Sequence, residues 1–210
     1  MKSKVDYEFI LQKLDEMYPN AHCELNYTTI FELLIAVMLS AQTTDISVNK
    51  VTPKLFERYK SPQELANASL KDVENYIHTL GLYKNKSKNL IEMSKVLLDK
   101  FNGEVPKTKE ELLTLPGVGV KTASVVLIEG YKIPAFPVDT HIERISKRLG
   151  IAKKSDDAIK VMEKLMKKYP KETWGKLHHQ MIFFGRYTCN ARKPKCEECL
   201  LKEKCHENFK

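Results

Sequence analysis

Helix punctuation dominates this sequence and restricts it to an all-α fold class. Ser or Thr followed three residues later by Glu or Asp, the box that opens a helix, occurs at Thr29/Glu32, Ser61/Glu64, Ser69/Asp72 and Thr108/Glu111. Pro62 takes the first helical position after Ser61, and Gly81, Gly103, Gly150 and Pro170 mark stops. Strand signals are hard to find, because no Asn-Gly pair stands between alternating apolar and polar stretches. The periodicity predicts helices over 6–18, 29–40, 45–58, 62–67, 70–79, 84–101, 108–114, 120–131, 140–149, 155–168 and 173–184. The segment 29–39 is apolar nearly all round, so it is expected to be a buried central helix.

The chain has 210 residues, 42% hydrophobic and 30% charged, which suits a globular protein and excludes a disordered or fibrous one. Its longest apolar run, 33–39, is far short of the roughly 20 residues that span a bilayer. The charged N-terminus lacks the apolar core of a signal peptide, so a cytoplasmic protein is expected. Positive charge is unevenly placed. Residues 1–105 carry 13 Lys+Arg against 14 Asp+Glu, whereas residues 106–210 carry 22 against 13. A basic half of this kind suits a polyanionic partner, nucleic acid before an anionic membrane, although a solvated surface has the same composition.

Residues 112–128 read as two apolar-periodic helices joined by Leu115-Pro116-Gly117-Val118-Gly119. Pro116 pushes the residue before it out of the α region and ends the first helix. Gly117 and Gly119 permit a sharp turn and leave bare backbone N–H groups at the start of the next helix. Those donors, with the positive end of the helix dipole, suit a phosphate. The segment 108–130 is thus a helix–hairpin–helix, a grip on the DNA backbone that ignores sequence. An ordinary tight α–α turn would use the same residues.

Lys121 lies in the first turn of that second helix. It is either another phosphate-binding lysine or an amine nucleophile beside bound DNA, helped by a helix terminus that favours loss of its proton. Asp139, in Val138-Asp139-Thr140-His141, stands directly before a helix and can serve as an N-cap, as a carboxylate that stabilises positive charge on a sugar, or as both.

Four of the five cysteines fall within 17 residues as Cys189-x6-Cys196-x2-Cys199-x5-Cys205. In a reducing compartment this spacing argues for a metal centre, either structural zinc or a cubane iron–sulfur cluster. Arg192, Lys193 and Lys195 interleave with the ligands and would face a phosphate backbone. Cys23 stands apart and reads as a buried small apolar residue.

Taken in order, these motifs resemble the endonuclease III family of helix–hairpin–helix DNA glycosylases over nearly the whole length. Leu39-Ser40-Ala41-Gln42-Thr43-Thr44-Asp45 resembles that family's first signature, Gly81-Leu82-Tyr83 its second, and 115–121 its hairpin. The 6-2-5 cysteine spacing completes the set. The resemblance implies a six-helix barrel domain over 22–132 and a discontinuous domain from 1–21 and 133–210 that carries a [4Fe–4S] cluster in the loop 189–205, with DNA bound across the cleft between them. It also implies a bifunctional N-glycosylase and abasic-site lyase of base excision repair, a monomer acting on duplex DNA with oxidised pyrimidines or abasic sites. Lys121 would attack C1′, Asp139 would stabilise the sugar cation, and Gln42 and Leu82 would fill the stack vacated by a flipped base. Two other readings keep the hairpin and the cysteines: a mismatch or adenine glycosylase relative, and a non-catalytic metal-stabilised DNA-binding protein.

The chain departs from the family pattern at Val120, where a basic residue is usual, and at Ser124, where asparagine is usual. Val120 removes a charge near the phosphate. Val120→Arg is therefore expected to tighten DNA binding and to steepen the slope of log affinity against log salt by about 0.9, one added phosphate contact. A salt titration of both proteins checks it, and identical slopes would show that Val120 costs no backbone contact.

Overall fold

The computed structural model describes residues 5–207, and among these every regular element is helical. Two compact units arise, one over Glu24–Ile133 and the other from the segments that end at Cys23 and resume at Pro134. Asn49 Nδ2 donates to the Glu24 carbonyl at 2.7 Å, and the Ile133 N–H donates to the Leu127 carbonyl at 2.9 Å, which ties both ends of the first unit to its own helices. The division falls at 23/24 and 133/134, against 21/22 and 132/133 expected from the resemblance.

The first unit is built around α2 (Ile30–Leu39), of which Phe31 and all seven residues 33–39 are buried. It packs against α3 (Asp45–Arg58), α6 (Tyr83–Phe101) and α8 (Val120–Val125), and the last continues as a π turn over Val126–Gly130. Gly130 is glycine because a Cβ there would come within 3.1 Å of Ile30 Cγ2 and 3.2 Å of Leu33 Cδ2. Around this axis stand the short α4 (Pro62–Ala66), α5 (Leu70–Ile77) and α7 (Lys109–Leu112). The expected capping boxes are all used at the N-cap, where each hydroxyl accepts the N–H three residues on. The reciprocal half is complete only at Thr29; at Ser69 the Asp72 carboxylate accepts the Tyr59 hydroxyl instead.

The second unit holds α1 (Tyr7–Met17), α9 (Thr140–Arg148), α10 (Ala158–Lys168) and α11 (Trp174–Phe183), followed by a π turn over Phe184–Thr188. Its N-terminal segment is bound by Gln180 Nε2 to Asp15 Oδ1 at 2.9 Å and by Tyr18 to Thr188 at 2.6 Å. Of the aromatics Trp174, Phe183 and Phe184, all of which read as core residues, Trp174 and Phe184 are buried and Phe183 is half-buried. Cys23 departs from expectation, since it is half-buried. Gly81 does too: the left-handed residue after α5 is its neighbour Leu82, at φ +59°. No described helix is long and apolar enough to cross a membrane.

Because Thr29 and Glu32 close a complete reciprocal box, Thr29→Ala is expected to cost about 1 kcal/mol in chemical denaturation. Thr29→Ser, which keeps the hydroxyl, is expected to stay within a few tenths of that of the parent.

Candidate functional site

The hairpin between α7 and α8 assigns its two glycines different tasks. Gly117 has φ +78°, and a Cβ on it would lie 2.8 Å from Asn89 Nδ2, so both the backbone angle and the close approach of α6 demand glycine. Gly119 is the N-cap of α8, at φ −97° and ψ 177°, an extended conformation open to any residue. Nothing lies within 4 Å of where its Cβ would be. The chain's own packing therefore does not call for glycine at 119. Neither glycine N–H has a partner among the described residues. Val120 and Lys121 follow in the first helical turn, both exposed.

Gln42, Leu82 and Gly117, far apart in sequence, line one cavity of about 150 Å³. Its floor is Met38, Leu39 and Leu90, and its polar rim includes Asn85, Lys86 and Asn89. Gln42 and Leu82 are both exposed and both left-handed, at φ +56° and +59°. Such angles are uncommon outside glycine and persist only where surroundings impose them. Sequence reasoning missed Lys86. It is buried at 8% exposure, and its Nζ donates to the Leu39 carbonyl at 2.9 Å and to Thr43 Oγ1 at 2.7 Å. Burial pulls its ammonium below the ordinary lysine range. The signal was present: Lys86 occupies the same helical face as the buried Leu90, Met93 and Leu97.

Asp139 belongs to the other unit. Its Oδ1 accepts the Ile142 N–H at 2.9 Å, which makes it the N-cap of α9, and the side chain stays half-exposed. The cap uses one oxygen, so capping and chemistry are compatible. Burial pulls the nearby His141 below the usual imidazole range, and its Nδ1 lies 3.2 Å from Arg144 Nη2.

All four clustered cysteines are unpaired and line a cavity of about 350 Å³. Burial, ahead of the neighbouring thiols, pushes Cys199 up to about 11 and raises Cys205, so thiolates there require a cation. Among the described residues no three Cys, His, Asp or Glu side chains converge tightly enough for one metal ion. Four thiols lining one cavity supply a donor set that either a structural zinc ion or a [4Fe–4S] cluster takes. The buried Arg148, also missed from the sequence, donates to Cys189 Sγ at 3.2 Å and to the carbonyls of Cys189, Asn190 and Ala191. Arg192, Lys193 and Lys195 stand exposed on the same loop.

Known proteins are similar to this chain in sequence and fold. The model of the HhH-GPD superfamily of base excision DNA repair proteins matches residues 35–171. Endonuclease III of Bacillus subtilis is 48% identical over 97% of this chain and 93% of its own length. The chain belongs to the endonuclease III family. The endonuclease III of Escherichia coli K12 is 45% identical over 93% of this chain and 92% of its own length. Among solved structures, an endonuclease III trapped with DNA as a covalent intermediate, an estranged-adenine complex, is similar throughout. Its TM-score is 0.94 at 48% identity, and the match covers 98% of this chain and 97% of that one.

The two hairpin glycines can be separated by experiment in this endonuclease III relative. Gly117→Ala is expected to cost about 1–2 kcal/mol of stability from the left-handed backbone alone, with the Asn89 contact adding to it. Gly119→Ala is expected to leave the melting temperature within about 2 °C of the parent, because a surface change away from packing costs little. Its affinity for duplex DNA should nevertheless fall, which a binding titration reads directly.

Proposed function

We propose that this chain is a bifunctional DNA N-glycosylase and abasic-site lyase of base excision repair, acting on oxidised pyrimidines and abasic sites in duplex DNA. One observation carries the reading: Lys121 is an exposed amine at the start of the hairpin's second helix, in a chain 48% identical to a protein captured in a covalent complex with DNA. An amine so placed can attack C1′ of an extruded nucleotide. The N-glycosidic bond breaks, the base departs with its electron pair, and the sugar opens to a Schiff base on Nζ. Loss of a proton from C2′ then expels the 3′ phosphate and cuts the strand, and water hydrolyses the imine to release the enzyme.

The remaining residues take parts consistent with their surroundings. Asp139 keeps one carboxylate oxygen outside its capping bond, which suits it to stabilise positive charge on the sugar and to move a proton. Gln42 and Leu82, both exposed, fill the stack that the base leaves. The N–H groups of Gly117 and Gly119 bind phosphate, and Arg192, Lys193 and Lys195 make a second contact on the backbone. Cys189, Cys196, Cys199 and Cys205 hold a [4Fe–4S] cluster, whose contribution is to fold the basic loop around its ligands. The protein acts as a monomer, in the cytoplasm at the nucleoid.

Borohydride reduction of a reaction with a duplex bearing an oxidised pyrimidine is expected to trap a covalent complex, and Lys121→Gln to abolish it. A wild-type protein that binds this DNA but never traps would mean a non-catalytic DNA-binding protein. Equal trapping by Lys121→Gln would remove the nucleophile assignment. The purified protein should contain about four irons and absorb in the visible; a colourless zinc protein would overturn the cofactor.

A further inference from the structure

Lys86 is a buried cation that no carboxylate pairs with among the described residues, a costly arrangement unless something else compensates the charge. It occupies the first turn of α6, where the positive end of the helix dipole adds to that cost. Compensation comes from α2. Leu39 is the last residue of that helix, so its carbonyl is one of the four that no helical N–H satisfies, at the negative end of a second dipole. The other acceptor is Thr43. These two partners straddle residues 40–42, so a single ammonium closes the loop that carries Gln42. The Lys86 N–H, in turn, donates to the Leu82 carbonyl at 3.0 Å. One residue thus binds one left-handed position through its backbone and encloses the other with its side chain.

We propose that Lys86 is a positioning residue for base extrusion, presenting Gln42 and Leu82 to the duplex as one rigid wedge. The inference rests on the repair reading above and adds to it the device that holds the wedge. Two exposed residues at strained angles are useful as a wedge only if their order is already built before DNA arrives; otherwise, ordering the loop is subtracted from the energy available to unstack the base. The two hydrogen bonds from Nζ close the loop that carries Gln42, and the helical bond from the backbone N–H at 86 ties Leu82 to the start of α6. Lys86 touches neither substrate nor reacting atoms in this role.

The test uses the full-length, cluster-loaded protein and a duplex with a tetrahydrofuran abasic analogue opposite 2-aminopurine, whose fluorescence rises on unstacking. Lys86→Met and Thr43→Val are each expected to reduce that rise, and the single-turnover rate on an oxidised pyrimidine, by roughly fivefold or more, with DNA affinity moved by less than about twofold. Thr43→Ser keeps the acceptor and should match wild type. The double variant should be no worse than Lys86→Met, since the Lys86–Thr43 contact that Thr43→Val breaks is already lost in it. Lys86→Met with wild-type unstacking, or with a loss that adds fully to that of Thr43→Val, overturns the proposal. If Lys86→Met lowers the melting temperature too far to assay, the Thr43 pair decides: Thr43→Val equal to wild type overturns it and a loss restored by Thr43→Ser supports it. A wild-type protein that neither traps DNA nor unstacks it sinks the repair reading itself, an outcome distinct from an active wild type with an equally active Lys86→Met.

Discussion

Burial of α2 on all sides is the constraint from which the first unit follows. A helix apolar round its whole circumference cannot rest on a surface, so α3, α6 and α8 must enclose it. Its two ends are then dictated. The N-terminus is closed by its own reciprocal box at Thr29 and Glu32. The C-terminus emerges at Leu39 with an unsatisfied carbonyl, directly before the loop that carries Gln42, and the Lys86 ammonium meets it there. The same enclosure seats α8, whose N-terminal turn presents the hairpin glycines, Val120 and Lys121. A packing requirement in the core thereby sets the position of each exposed group on this unit.

Both units use a buried cation in the same way. Lys86 and Arg148 are each almost fully covered; Lys86 donates to the Leu39 carbonyl at the end of α2, and Arg148 donates to the carbonyls of Asn190 and Ala191. Lys86 serves the loop of Gln42, and Arg148 serves the backbone over 189–191, where the four-cysteine loop begins. A cation can satisfy several carbonyls that no helix or sheet would reach, and breaking such a set leaves those oxygens desolvated. The device secures irregular backbone without a regular element beneath it, at the places where reactive or contacting side chains must be exposed.

What the residues announced and what they concealed divide along a clear line. Capping boxes at Thr29, Ser61, Ser69 and Thr108 were legible because a helix start is written within four residues, and Asp139 was legible as a cap for the same reason. The hairpin was legible from Pro116 and two glycines. That those glycines do different work was not, because the difference is Asn89, which approaches Gly117 from α6 and leaves Gly119 open. Gly81 was expected to mark the stop after α5, yet the left-handed residue there is Leu82. Lys86 and Arg148 were missed, because only their register with buried neighbours marks them as covered.

Residue order alone established the helical class, the hairpin, the four-cysteine loop and the lysine and aspartate that resemble a repair enzyme's pair. Each is encoded over a few residues, by caps, turns and ligand spacing that need no distant partner. Packing in space decided that Gln42, Leu82 and Gly117 share one cavity and that Lys86 joins the end of α2 to the Gln42 loop. Those relations link positions about 40 residues apart in the chain. They depend on which helix face is buried against which, a long-range free-energy balance that no local window of sequence contains.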